Sequence, residues 1–313
     1  MKYKTLQKEF HVTSSSSKTH AEELYQQRFA SKDAVHYPFV LQNDPLFYIR
    51  TPEVRELIAE LKTRNTKFLS RWNKLPDQTA EEILQKLVIH EVIATNEIEG
   101  ITETRTSIED SLKSSTANGI SYHYGKLAHR KAALPQTPAD LRTFYDLFMY
   151  NELAPDQELD GELFRKGPVQ IVDGNHKTVH SGFFPESKII DGIQTSLELL
   201  SRGNFVDAIV SHFMFETVHP FYDGNGRVGR YLLSMRLSEL FSPAVALTLS
   251  SAINQNVSKY YKAFQTVENP LNRSDCTPFV IFLLEILLAE QQELANLIEQ
   301  HPWTVNQIGI YLF

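Results

Sequence analysis

Twelve consecutive residues, His219-Pro220-Phe221-Tyr222-Asp223-Gly224-Asn225-Gly226-Arg227-Val228-Gly229-Arg230, bring together an imidazole, a carboxylate, a glycine-flanked asparagine and two guanidinium groups. An imidazole titrating near ~6.5 suits a general base at neutral pH. A lone carboxylate beside phosphate oxygens is a typical Mg²⁺ ligand, the remaining positions going to water and phosphate. Glycines around Asn225 let successive backbone N–H groups converge on one anion. Arg227 and Arg230, three apart, share one helix face, and a planar guanidinium suits phosphate oxygens. Base, Mg²⁺ ligand and polyphosphate cradle together point to transfer from a nucleotide to a hydroxyl. Taken singly, the bland readings win: a His after a helix, a D-G-N-G turn, a solvated arginine face. Their combination is what carries the chemistry; Pro220 and Phe221 are read as packing residues.

Two helices must hold this segment. Phe205, Ile209, Phe213, Phe215 and Val218 give an apolar helical pattern running into His219, and Val228, Tyr231, Leu232, Met235 and Leu237 begin another. Pro220 disfavours the α conformation at His219, so the first helix should end there and fix the imidazole at a bend. The loop Asp223–Gly226 then opens the second helix, whose unpaired N–H groups and positive dipole end add to the anion site.

The segment resembles the signature of the Fic family, H-x-F-x-[D/E]-G-N-G-R-x-x-R, and matches every specified position. The resemblance implies a mainly α fold, a Fic-type helical bundle with a short β-hairpin flap over the active site. It implies transfer of AMP from ATP to a Tyr, Thr or Ser hydroxyl of a protein, with release of pyrophosphate. By position, His219 would deprotonate the target hydroxyl and Asp223 would hold Mg²⁺ against the α- and β-phosphates. The amides around Gly224, Asn225 and Gly226 would hold the phosphates, with Arg227 at the β-phosphate and Arg230 at the γ-phosphate. The related Doc-type kinases carry lysine where Arg227 stands, which argues against kinase activity; phosphocholine transfer, known in the wider family, stays open.

Three further segments fit this frame. Residues 81–98 carry a strong amphipathic pattern that ends in Thr95-Asn96-Glu97-Ile98-Glu99-Gly100. Thr95 and Glu99, four apart, lie on one helix face, and Gly100 suits a helix stop. The stretch is similar to the family's inhibitory motif, [S/T]-x-x-x-E-[G/N]; by that resemblance Glu99, rather than Glu97, would pair with Arg230 and fill the γ-phosphate space. The run Val169-Gln170-Ile171-Val172-Asp173-Gly174 to His180 reads as a hairpin turning at Asp-Gly. In the family a hairpin here is a flap that would hold the target segment by edge-strand hydrogen bonds. His176 and His180 on it are read as solvated. Tyr261, in Ser258-Lys259-Tyr260-Tyr261-Lys262, resembles the family's adenine-side wall.

Composition bounds the rest. A net charge of −7 without a basic cluster near the termini disfavours nucleic acid as the main partner. The single Cys276 suits a reducing cytosol, and the N-terminus lacks an apolar signal region, so a cytoplasmic location is expected. The apolar run Phe279–Ala289 contains Glu285 and is too short to span a bilayer, so it reads as a buried helix and no membrane association is expected. The expected organisation is an N-terminal arm (1–52), polar over 1–35 and an extended Pro-containing connection over 36–52. A helical unit carrying the inhibitory motif (53–115), the catalytic core (116–300) and a C-terminal tail (301–313) follow. The implied protein is a self-inhibited protein adenylyltransferase with ATP as substrate, Mg²⁺ as cofactor, target proteins as partners and a homodimer as a possible state. The rival reading is the reverse reaction, a de-AMPylating hydrolase or bifunctional enzyme with Glu99 positioning water. A rival of another class is a catalytically silent nucleotide-binding regulatory module, disfavoured because a pure binder needs no base.

Overall fold

The structure, a computed structural model, describes residues 2–12, 17–113, 118–172 and 178–300. It is mostly helical. The chain opens with α1 (Leu6–Val12) and α2 (Ser17–Phe29), then the strands β1 (Ala34–Leu41) and β2 (Asp44–Ile49). Helices α3 (Pro52–Trp72), α4 (Asp77–Ile98), α5 (Arg105–Lys113), α6 (Ile120–Ala128) and α7 (Pro138–Phe148) lead to a second pair of strands, β3 (Gln170–Val172) and β4 (Thr178–Ser181). There follow α8 (Glu186–Ser201), α9 (Phe205–Val218), α10 (Asn225–Leu240), the short α11 (Pro243–Ala246) and α12 (Leu249–Asn254), then α13 (Val257–Glu268) and α14 (Thr277–Gln300).

By its packing the chain divides into two compact units, Met1–Arg64 with Asn256–Ala289, and Asn65–Gln255 with Glu290–Phe313. This division runs across the segments expected from the sequence: residues 53–115 contribute to both units, and so do residues 116–300. The tail from His301 lies outside the described residues.

In the first unit the N-terminal arm is more ordered than its composition implies. The polar stretch contains α1 and α2, and Leu6, Tyr25 and Phe47 share a buried cluster. Residues 36–49 belong to an antiparallel hairpin rather than an extended connection, with β1 pairing β2 from Ala34↔Ile49 to Leu41↔Asp44. Tyr37, Phe39 and Leu41 point inward while His36, Pro38 and Val40 face solvent. Its prolines masked the pattern, yet in a two-stranded sheet each strand has an edge where no N–H is required.

In the second unit α9 is buried along nearly its whole length, as an all-round apolar helix must be. It packs on α8 and α10, with Ser196 and Ser211 hydrogen-bonded across the α8–α9 contact. Asn204 caps its start by accepting the Asp207 N–H at 2.8 Å. Helix α4 packs on α6, α10 and α12. The fully buried Glu91 on α4 accepts the Ser250 N–H at the head of α12 (2.8 Å), which pins α4 in place. Burial pushes the Glu91 carboxyl up to about 7.

Candidate active site

Helix α9 ends at Val218, one residue before His219, as Pro220 demands. His219 adopts φ 52°, ψ 65°, a left-handed conformation unusual for a side-chain-bearing residue. Such a backbone persists only where its surroundings hold it. Arg165 does so here. Its guanidinium, with no solvent exposure, donates Nε–H to His219 O (2.8 Å), Nη1–H to Gly167 O (2.6 Å), and Nη2–H to Phe183 O (2.8 Å) and Val218 O (3.3 Å). It therefore satisfies the last carbonyls of α9 and ties together the chain before β3 and after β4. Sequence reasoning passed over Arg165; the only signal was its place just upstream of the expected hairpin.

Burial, together with the neighbouring His180 and the Arg165 guanidinium, pushes the His219 imidazole down to about 3, so at neutral pH it is uncharged. Its Nδ1 lies 3.4 Å from Glu216 O, an oxygen that only accepts, an arrangement that favours the tautomer with the proton on Nδ1. Nε2 then keeps its lone pair, the state a base requires. His180 on β4 is not solvated as expected from sequence: its Nε2 reaches Thr217 O at 2.8 Å and its ring lies 6.3 Å from that of His219. His176 lies outside the described residues.

The hairpin itself pairs Gln170↔Ser181, Ile171↔His180 and Val172↔Thr178, and its turn falls outside the described residues. Val169 O accepts the Gly182 N–H (3.1 Å), and Phe183 N–H donates to Val218 O (3.0 Å). The base of the hairpin is thus bonded to the end of the helix that carries His219.

The loop after His219 is braced from below. Phe221 is fully buried and stacks on Tyr145 (ring centroids 3.7 Å apart), whose hydroxyl donates to Asp223 O at 3.1 Å. Asn225 uses its side chain on the loop itself, accepting from Phe221 N–H and donating to Phe221 O, both at 2.9 Å. Only its backbone amide is therefore offered to an anion. The two glycines serve different ends. Gly224 has the positive φ (77°) expected, and a Cβ there would stand 2.7 Å from Met149 Cε. Gly226 lies within α10 and needs no such backbone freedom; a Cβ there would collide with Glu99 Oε1. The amides of Asn225, Gly226 and Arg227 open α10 and have no acceptor within the helix.

Arg227 and Arg230 are both buried, each at 1% exposure, and each faces carboxylate. Arg227 donates to Glu152 (3.2 Å) and Asp223 (3.3 Å). Glu152 belongs to no motif and was not anticipated. Arg230 donates Nε–H to Thr95 Oγ1 (2.9 Å), and Nη2–H to Thr95 O (2.9 Å) and Glu99 Oε1 (2.7 Å). Thr95 and Glu99, one turn apart on α4, thus hold one guanidinium between them. Glu97 pairs elsewhere, accepting from Asn254 Nδ2 at 2.7 Å. Beneath Arg230, burial pushes the Glu216 carboxyl up to about 8 and the His212 imidazole down to about 3, so both are neutral near pH 7.

Asp223, with its side chain about a third exposed, is an open carboxylate next to the α10 amides, a donor set that fits one cation shared with phosphate. Among the described residues no group of three or more His, Cys, Asp or Glu could hold a metal by itself. Tyr261 belongs to the first unit, on α13, where it is 47% exposed and 5.5 Å ring to ring from Tyr260. No described helix is long and apolar enough to cross a membrane.

The Fic/DOC family profile matches residues 135–237, which run from before α7 into α10. A probable protein adenylyltransferase of Aquifex aeolicus is 32% identical over 113 residues, 36% of this chain and 29% of that protein, so the aligned stretch spans under a third of the relative. A crystal structure of a Fic family protein from Desulfovibrio desulfuricans superposes with TM-score 0.63 at 22% identity, covering 82% of this chain and 78% of that one. A structure of Fic-1 from C. elegans superposes with TM-score 0.52 at 17% identity, over 79% of this chain and 73% of its own. At these identities the two structures establish the fold.

Proposed function

The chain carries a Fic domain of the Fic/DOC family, and from that premise we propose that it is a self-inhibited protein adenylyltransferase. It moves AMP from ATP to a Tyr, Thr or Ser hydroxyl of a target protein. The hydroxyl oxygen bonds to the α-phosphorus, the bond from that phosphorus to the β-phosphate bridging oxygen breaks, pyrophosphate departs, and the hydroxyl proton passes to His219 Nε2. The amides at the head of α10 and the two arginines stabilise the charge that grows on the phosphate oxygens. Asp223 is the residue that would hold Mg²⁺, which when bound neutralises phosphate charge. Strand β3 would take the target segment alongside it as an added strand.

The single observation that supports self-inhibition is the Glu99–Arg230 pair at 2.7 Å. A guanidinium engaged by a carboxylate cannot give its fork to a phosphate. The test is labelling of cell lysate proteins with α-labelled ATP and Mg²⁺ by wild type, Glu99→Gly and Glu99→Gly/His219→Ala. Strong labelling by Glu99→Gly that vanishes without His219 supports the proposal. Labelling by Glu99→Gly at the wild-type level removes the inhibitory role of Glu99. No labelling by any form, with AMP released from a pre-modified protein, replaces transfer by the reverse reaction.

A further inference from the structure

Two to three turns before Thr95, α4 forms one wall of a cleft of about 690 Å³ that it shares with α5 and α6. That volume is within the ~300–1,000 Å³ of small-molecule sites. Leu84, Val88 and Ile89 from α4, Leu112 from α5 and Ala128 from α6 give the cleft an apolar floor. Gly125 leaves room above it, since an added Cβ would make only ordinary contact with Leu112, at 3.5 Å.

The rim is charged and unbalanced. Five cations (Lys86, Arg105, Lys113, Lys126, Lys131) face three carboxylates (Glu81, Glu82, Glu109). The carboxylates are engaged within the protein: Glu109 holds Arg105 at 2.8 Å, Glu81 accepts from Gln85 and lies 3.6 Å from His129, and Glu82 accepts from Gln78. Among the described residues Lys113, Lys126 and Lys131 form no ion pair, although Lys126 lies 5.7 Å from the centre of the Tyr122 ring.

From this cationic rim over an apolar floor we infer that the cleft binds a small amphipathic anion, a short apolar body carrying a carboxylate or phosphate. The apolar body releases water from the floor, and the acid group answers the unpaired lysines. The site also has a mechanical link to Glu99. Glu103, in the connection into α5, accepts from Asn96 on the last turn of α4 (2.8 Å) and from Ser107 on the first turns of α5 (3.1 Å). An anion that draws Arg105 away from Glu109 shifts that start of α5, and with it the turn that positions Glu99. The regulatory half of this inference rests on the self-inhibition proposed above; the binding half does not.

Isothermal calorimetry of the full chain with octyl phosphate and octanoate, with octanol as the neutral control, tests binding. The expected result is saturable one-to-one binding of at least one anion and none of octanol. Lys113→Glu/Lys126→Glu and Gly125→Leu should each weaken it at least about tenfold, with circular dichroism melts to establish that both variants fold. No anion binding, equal binding of octanol, or binding indifferent to both variants overturns the site. Coupling is read separately: saturating octyl phosphate should change AMP transfer by wild type about threefold or more and leave Glu99→Gly unchanged. Binding with no such change overturns the coupling. A Glu99→Gly variant no more active than wild type overturns the self-inhibition instead, and leaves the calorimetric result standing.

Discussion

Replacing Arg165 by lysine separates a positioning role from a merely structural one. Lysine keeps the charge but offers three donors from one point, whereas the four carbonyls bound by Arg165 are contributed by three separate stretches of chain. Val218 O keeps the Phe183 N–H, but the other three carbonyls lie on three stretches that one ammonium cannot reach together, so at least one loses its partner. A buried acceptor left unsatisfied costs roughly 1–3 kcal/mol, so the variant should lose at least that much of a typical ~5–15 kcal/mol. It should fold, with a lower urea midpoint. His219 loses the bond that holds its carbonyl, and its left-handed backbone is free to relax. A base displaced by ~1 Å can lower turnover about a hundredfold.

The acid limb of the pH–rate profile distinguishes the two roles. In the wild-type fold burial, the neighbouring His180 and the Arg165 guanidinium hold His219 down to about 3. A base freed from that setting moves back toward its ordinary ~6.5, so activity should begin to fall below about pH 6.5 where it was flat before. AMP transfer with α-labelled ATP, measured in the Glu99→Gly background from pH 5 to 8, reads both kcat and the limb. A variant with a lowered urea midpoint but unchanged kcat and pH profile would reduce Arg165 to a structural clamp. One unchanged in all three would refute the reasoning altogether.

Other expectations follow from the same geometry. With His219 neutral down to about 3, Glu99→Gly itself should show no acid limb attributable to the base between pH 5 and 8, read from kcat/KM against pH. Glu152→Gln in that background should lower the KM for ATP about two- to fivefold with kcat unchanged, since a pair with a 39% exposed carboxylate is worth only ~0.5–1 kcal/mol; a raised KM would mean that Glu152 positions Arg227 rather than competing for it. Glu216 is raised in the fold from about 4.5 to about 8, so the folded state binds the extra proton in that window. Its stability contribution is therefore full below about pH 4.5 and is lost as pH rises through 8, on the order of 4 kcal/mol. Glu216→Gln, which stays neutral, should melt above wild type by a margin that grows from pH 6 to pH 9; a constant margin would mean that Glu216 does not titrate there.

The catalytic segment was legible in the sequence because its parts are contiguous. One proline and two apolar patterns predict the bend at His219 and the start of α10, and both fall where the residues require. The 81–98 helix and the Thr95/Glu99 face were legible for the same reason, since helical spacing is a local property. What was hidden is what joins distant segments. Arg165 is 54 residues from His219, and Glu152 is 75 from Arg227; neither has a local pattern, because backbone carbonyls and single carboxylates leave no periodic trace. Gly226 was assigned the wrong reason. Flexibility is what two flanking glycines suggest, whereas the fold needs the absence of a Cβ to admit Glu99.

The two arginines of the motif share a constraint that bears on how inhibition can work. Both are buried, and a guanidinium taken out of water must be paired or the fold loses several kcal/mol. Without a nucleotide the chain has to supply the partners itself, and it does so with the Glu99 carboxylate and the neutral Thr95 oxygens at Arg230 and with the Glu152 and Asp223 carboxylates at Arg227. In the self-inhibited enzyme proposed above, binding ATP would exchange one set of acceptors for another rather than fill an open site, and the strength of inhibition would be the difference between two pairings of similar kind. Because Glu99 is tethered to α4, its effective concentration at Arg230 is set by how firmly that last turn is held. The hold runs through Glu91 at α12, Glu97 at Asn254 and Asn96 at Glu103. On that proposal, a change in any of these contacts would shift the balance at Arg230 by the free energy it adds to or removes from the hold on Glu99.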